Sequence, residues 1–256
     1  MSIIQLSQLK KQYSGTYVLH GIDLSFDKGQ IIGYIGPNGA GKSTTIKILT
    51  GIISDFEGEA NVLGMDVRKN PLEIKQRIGY IPEQTALYDV LTPLEYLDFI
   101  GKLYGMEGEV IKKKVWELLR VFELDQKAKI RMDSFSKGMR QKVLLISGLL
   151  HNPEIIFLDE PLSGLDANAV ILVKEILNKL KEAGKTIFYS SHIMDVVEKI
   201  SDRIVIINKG EVIADGTFES LKASAHQGSL ESIFTSLTGD EQHIENADQF
   251  IEILKN

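Results

Sequence analysis

Gly36-Pro37-Asn38-Gly39-Ala40-Gly41-Lys42-Ser43-Thr44 is the stretch whose reading decides the fold. It fits the phosphate-binding pattern G-x-x-x-x-G-K-[ST], with Gly36, Gly41, Lys42 and Ser43 in the defining places. A loop that wraps a triphosphate must turn several backbone N–H groups inward, and glycine permits both the turn and the close approach. Lys42 is suited to the β- and γ-phosphate oxygens, and the Ser43 hydroxyl to Mg²⁺. The flanks agree. Gln30 to Ile35 is an almost unbroken apolar run, as expected of a strand buried on both faces of a parallel sheet. Lys42 to Thr50 reads as the first turns of a helix, whose N-terminus favours an anion.

Working outward, a second apolar run, Ile155-Ile156-Phe157-Leu158, predicts a buried strand that delivers Asp159 and Glu160 at its carboxyl end, with Pro161 ending it. Ligands in open α/β sheets bind at that edge. Asp159 is the expected Mg²⁺-side carboxylate, and Glu160 is placed to act as general base on a water near the γ-phosphate. Thr186 to Ser190 predicts another strand, which brings His192 to the same edge, within reach of a γ-phosphate oxygen. Ser136 reads as the N-cap of a helix running from about Gly138 to Leu150. With the Gly138 backbone it makes a second possible anion site, although a plain helix cap explains the same residues.

The remainder organises around these points. Residues 2–35 read as β-rich. Gly51 and Gly58 punctuate a further β-rich stretch, and Ile78 to Ile81 is a strand candidate. Thr92-Pro93-Leu94-Glu95 is a helix start with a capping box. Ile111, Val115, Leu118, Leu119 and Phe122 lie on one helical face, and packing is the expectation for that face and for the neighbouring Trp116. A helix from Ala167 to about Ala183, capped by Asp166 and Gly184, and a hairpin across Asn208-Lys209-Gly210 complete an α/β pattern. Residues from about 85 to 150 interrupt it as a helical insertion. Beyond about Ala223, Leu230, Ile233, Phe234 and Leu237, then Phe250, Ile251, Ile253 and Leu254, suggest two short amphipathic helices.

The 256 residues suffice for one large domain or two small lobes. The absence of cysteine excludes disulfides. A net charge of −6 counts against a general nucleic-acid binder, and no nucleic-acid partner is expected. No apolar run approaches the ~18 residues that a bilayer span needs. An intracellular soluble protein is the expectation, with any membrane role supplied by a partner.

Residues 1–222 together resemble the nucleotide-binding subunit of an ATP-binding cassette (ABC) transporter. Gly36–Thr44 resembles the family's Walker A motif and Ile155–Glu160 its Walker B strand with the catalytic glutamate. Ser163-Gly164-Leu165-Asp166 resembles the D-loop, and His192 the switch histidine. Ser136-Lys137-Gly138-Met139 stands where the family has its signature. Tyr13 is similar to the aromatic that stacks on adenine, and Val18 to an apolar adenine contact.

The resemblance implies an α/β fold: a P-loop NTPase core with a mixed sheet and flanking helices, an N-terminal antiparallel β-subdomain and a helical subdomain. Residues 223–256 would be a C-terminal helical appendage. It implies ATP as ligand, contacted by Tyr13, Val18, Gly36, Pro37, Asn38, Gly39, Ala40, Gly41, Lys42, Ser43 and Thr44, and by Ser136 and Gly138 from a second subunit, identical or related. It implies Mg²⁺ near Ser43, Asp159 and the Q-loop residue, which falls on Glu83 or Gln84. It also implies a transmembrane permease partner and a place at the cytoplasmic face of the cell membrane.

Two departures stand out: the signature reads Phe-Ser-Lys-Gly-Met rather than Leu-Ser-Gly-Gly-Gln, and glutamate occupies the Q-loop register. The signature with its following Arg-Gln-Lys, and the tail Leu230–Gly239, most resemble exporter subunits of the ABC-2 type. A non-transport member of the superfamily acting in translation, DNA repair or cluster assembly, and a regulatory ATP binder without a transport cycle, are the competing readings.

Overall fold

Parity explains why the central strands are apolar along their whole length. In a computed structural model, which describes residues 2–84, 87–225, 228–239 and 253–254, alternate residues of each central strand enter different cores. Ile31 and Ile35, Ile156 and Leu158, Ile187 and Tyr189, and Ile204 and Ile206 face one cluster. Ile32 and Tyr34, Ile155 and Phe157, Phe188, and Val205 and Ile207 face the other. A strand has a side-chain period of two, so a sheet covered on both faces needs apolar residues at every position.

The chain begins with two long strands, β1 (Ser2–Tyr13) and β2 (Thr16–Asp27), then β3 (Ile31–Ile35) and helix α1 (Lys42–Leu49). β4 (Glu57–Val62), β5 (Met65–Asp66), α2 (Pro71–Arg77) and β6 (Ile78–Ile81) follow. Next come α3 (Pro93–Leu103), α4 (Gly108–Val121) and α5 (Lys137–Leu149), then β7 (Ile155–Asp159), α6 (Ala167–Glu182), β8 (Thr186–Ser190) and α7 (Met194–Ile200). β9 (Arg203–Asn208), β10 (Glu211–Gly216), α8 (Phe218–Ala225) and α9 (Leu230–Thr238) end the order.

The strands form two sheets. A four-stranded antiparallel sheet runs β2-β1-β4-β5, and a six-stranded mixed sheet runs β10-β9-β3-β8-β7-β6. In the second, β6, β7, β8, β3 and β9 are parallel neighbours, and β10 pairs antiparallel to β9. The antiparallel sheet and α1 cover one face. The other is covered by α6, α7 and the helices between β6 and β7.

The capping box at α3 is complete: Glu95 N–H donates to Thr92 Oγ1 at 3.3 Å, and Thr92 N–H to Glu95 Oε2 at 2.9 Å. Asp166 caps α6, its Oδ1 accepting from Ala169 N–H at 2.9 Å. On α4 and at its C-cap, Ile111, Val115, Leu119 and Phe122 are buried, but Trp116 is not part of that core. It is 38% exposed and lines a groove between α3 and α4. Position 116 lies one step of about 100° round the helix from Val115, off the buried stripe.

Three short helices had no clear signal in the sequence: α2, α7 and α8. The sequence boundary at residue 222 falls inside α8. Leu230 and Ile233 of α9 are buried in the core. The second amphipathic segment, Phe250 to Leu254, lies outside the described residues except for Ile253 and Leu254, which are exposed.

Candidate functional site

Three carboxyl ends converge at the edge of the six-stranded sheet. β3 leads into the 36–44 loop, β7 ends on Asp159, and β8 leads to Ser191 and His192. Between them lies a cavity of about 600 Å³. Val18, Gly36, Pro37, Asn38, Gly39, Gly41, Lys42, Ser43 and Thr44 line it, with Glu83, Asp159, Glu160 and His192. Ala40 is buried behind the loop, where its carbonyl accepts from Gly210 N–H at 3.1 Å.

The loop's shape depends on two glycines for steric reasons. A Cβ on Gly36 would run into the Ile207 carbonyl, and Gly41 caps α1 at φ +106 against the Leu19 side chain. Lys42, buried, folds back onto the loop and donates to the Gly36 carbonyl at 2.7 Å and the Pro37 carbonyl at 3.1 Å. Burial lowers its pKa, opposed by the charges of Glu160, Asp159 and Glu83.

Asp159 is 3% exposed, and its Oδ1 has no hydrogen-bond partner. Burial raises its pKa, while the hydroxyls of Ser43 and Ser190 pull the other way. An unpaired buried carboxylate oxygen beside a hydroxyl is a hard-oxygen donor set of the kind Mg²⁺ accepts, and Mg²⁺ takes its other ligands from water and phosphate. Glu83 lines the cavity, and its charge reaches both Lys42 and Asp159. Burial, together with the charges of Asp159 and Glu83, pushes the Tyr80 hydroxyl up to about 12. Gln84 is exposed and is not part of the cavity wall.

Glu160 follows directly in a left-handed conformation, φ +50, a geometry that costs a non-glycine residue about 1 kcal/mol or more. Its N–H donates to the Ser190 carbonyl at 3.0 Å. Its Oε2 lies 2.9 Å from His192 Nδ1 and accepts from the Ser191 hydroxyl at 3.2 Å. Ser191 Oγ also accepts from Ile193 N–H at 3.1 Å, so one buried hydroxyl ties the 191–193 segment to the glutamate. The His192 side chain is 69% exposed and presents its ring to solvent beside the cavity. A carboxylate held in this way, with a histidine next to it, can accept a proton from a water while the lysine and loop N–H groups bind phosphate.

The structure leaves three expected contacts elsewhere. Tyr13 is 44% exposed at the tip of the β1–β2 hairpin, with Lys11 Nζ 4.9 Å from its ring centre. Ser136 and Gly138 start α5 outside the cavity wall. Ser136 Oγ accepts from Met139 N–H at 3.2 Å. The Arg140 guanidinium donates to the Phe135 carbonyl at 2.6 and 3.1 Å and to Asp89 Oδ2 at 3.2 Å, which fixes the turn before the helix. The buried Gln141 donates to the Pro161 carbonyl at 2.9 Å. Its side chain joins the signature helix to the loop that follows Glu160.

Sequence reasoning missed Ser191, Met194 and Phe234. Ser191 had a signal in its place next to His192. Met194 and Phe234 complete the cavity wall from α7 and α9. The two helices are joined by Leu230 N–H donating to Glu198 Oε2 at 3.0 Å. No local pattern announces that a tail helix reaches this site.

The family profile described as ABC transporter matches residues 19–163, a stretch that runs from β2 to the loop after Glu160. The chain belongs to the ABC transporter family. Over 216 residues it is 40% identical to the ABC transporter ATP-binding protein NatA of Bacillus subtilis, covering 84% of this chain and 88% of that protein. It is 40% identical over 215 residues to the linearmycin resistance ATP-binding protein LnrL of the same organism, covering 84% and 69%. Among solved structures, an ATP-binding subunit of an ABC transporter superposes with a TM-score of 0.86 at 32% identity, over 92% of this chain and 99% of that one. A dimeric ATP-binding cassette in a post-hydrolysis state, bound to ADP and phosphate, gives 0.78 at 28% identity, over 84% and 98%. This ABC protein is therefore an ATP-binding ATPase subunit. Among the described residues, no helix is long and apolar enough to cross a membrane.

Proposed function

We propose that this ABC subunit energises export through a transmembrane permease at the cytoplasmic face of the membrane, with ATP shared between two nucleotide-binding subunits, identical or related. The observation that carries the reading is the division of the site. The 36–44 loop, Asp159, Glu160 and His192 wall one cavity, while Ser136 and Gly138 stand on a separate exposed helix N-terminus. Free N–H groups there suit a phosphate brought by a partner. The dimeric form of the related cassette supports the same arrangement.

In this arrangement Lys42 and the loop N–H groups hold the phosphates, Val18 and the exposed Tyr13 flank the base, and Glu160 takes the proton of the attacking water. His192, whose Nδ1 lies 2.9 Å from Glu160 Oε2, orients it and faces the γ-phosphate. Ser43 and Asp159, with Glu83 as the Q-loop residue, would hold Mg²⁺, which when bound neutralises phosphate charge. Export is favoured by the signature and tail sequence, and by the resistance role in the name of LnrL. The permease's cytoplasmic helix would lie against the helical insertion, where Tyr88 and Phe99 pack edge to face and both stay exposed.

Substituting Glu160→Gln tests the shared site. Turnover is expected to fall about 10²–10⁴-fold, the range for loss of a general base. ATP binding persists, and an ATP-dependent dimer accumulates in light scattering. A variant that hydrolyses ATP normally would remove Glu160 from the base role.

A further inference from the structure

Lys137 stands where the family's signature has glycine, and the fold gives it a partner. Its Nζ donates to Ser163 Oγ at 2.7 Å. The side chain lies across Gly164, where an added Cβ would come within 2.9 Å of Lys137 Cγ and Cδ. Gly138 packs on the same loop from beside it, and a Cβ there would lie 2.6 Å from the Gly164 carbonyl. Gln141 reaches the Pro161 carbonyl, and Lys142 lies 3.7 Å from Asp166. Ser163 N–H in turn donates to the Glu160 carbonyl at 3.2 Å. The first turns of α5 and the 160–166 loop are thus joined at four places, and the hydrogen bond from Lys137 is the one next to the signature's phosphate-facing residues.

We infer that Lys137 is a positioning residue that ties the signature to the loop carrying Glu160, through Ser163. The inference rests on the shared-site reading. In that arrangement Ser136 and Gly138 read the nucleotide held by the partner, while Glu160 acts on the nucleotide of its own chain. A link within one chain between these two places lets the filling of one half-site set the geometry of the other. Glycine at position 137 would lack it. The ammonium also lies close enough to the signature to suggest a different role, direct attraction of the partner's phosphate, and the two roles separate experimentally.

The test is a double-mutant cycle on steady-state ATPase of the full chain, with Lys137→Met, Ser163→Ala and the pair. Each single variant is expected to lower kcat about five-fold with KM for ATP changed less than about two-fold, and the pair to fall no further than the slower single variant. Lys137→Arg, which keeps a donor of similar reach, restores most of kcat. Thermal midpoints unchanged in all variants separate positioning from general destabilisation. Additive losses, or a Ser163→Ala variant at full kcat beside a slow Lys137→Met, overturn the inference and assign Lys137 to the phosphate. Carrying Glu160→Gln as the control keeps the two readings apart. If it forms the ATP-dependent dimer and the cycle is additive, only the role of Lys137 fails; if no dimer forms, the shared site fails and the inference with it.

Discussion

The phosphate loop and the signature turn are held by different kinds of structure. The first sits on the carboxyl edge of a sheet buried on both faces, with Asp159 and Glu160 fixed by the strand before them and Lys42 itself buried. The second sits at the start of an amphipathic helix, where Ser136 and Lys137 are exposed and side-chain hydrogen bonds with Phe135, Met139 and Ser163 set its shape. A buried scaffold holds reacting groups to within a fraction of an ångström. An exposed cap has free N–H groups and little to lose by meeting another surface. On the proposed reading, the contrast separates groups that do chemistry from groups that recognise an arriving phosphate.

The largest effect that could break this contrast comes from Lys42→Ala. It is expected to weaken ATP binding by the isolated subunit at least about 100-fold, near 3 kcal/mol, because a charge-assisted pair to phosphate is lost. Titration with a fluorescent ATP analogue measures it.

Ser136→Ala sharpens the contrast from the other side. Turnover is expected to fall about ten-fold while the dilute subunit binds ATP as before. Loss of the N-cap hydrogen bond costs about 1 kcal/mol. If Ser136→Ala weakened ATP binding in dilute solution as Lys42→Ala does, both regions would belong to one chain's site and the contrast would collapse.

The smallest effect concerns stability. Burial raises the Asp159 pKa, so the folded chain holds that proton more tightly than the unfolded chain. Stability from this group is therefore greatest below the ordinary carboxylate range, about pH 4, and declines as pH rises through the raised folded value. At neutral pH the ionised form is a burden on the nucleotide-free subunit. Asp159→Asn removes it, and the thermal midpoint should rise by about 2–4 °C for each kcal/mol relieved at pH 7, with little change near pH 4. Calorimetry at the two pH values checks this, and a lower midpoint at pH 7 would overturn it.

The same contrast governs what the sequence revealed. Runs such as Ile31–Ile35 and Ile155–Leu158 are legible because burial on two faces leaves no polar position, and the residues at their ends inherit the sheet edge. Asp166 and Thr92 were legible because a cap uses residues three apart. The α5 start is readable both as a cap and as an anion site, and only the family resemblance favours the second, since local chemistry does not distinguish the two. Contacts between distant segments left no local trace. Arg140 with Asp89, Lys137 with Ser163 and Phe234 at the cavity depend on tertiary packing. Trp116 departs from the packing expected of it for a related reason: it neighbours the apolar face in sequence, but its position one step round the helix decides its exposure. Glu83 and Gln84 are adjacent in sequence, and only the turn of the chain brings the first to the cavity wall and leaves the second off it.

Lys42 already has oxygen partners in the carbonyls of Gly36 and Pro37. On the proposed reading, a nucleotide therefore arrives as a competitor for the ammonium rather than as its first companion. Its phosphate oxygens carry charge and win the exchange against neutral carbonyls, but affinity records only the difference between the two sets of bonds. Loading and release become a swap between two satisfied arrangements. A site that must let go of its product after every cycle benefits from having such an alternative within its own backbone.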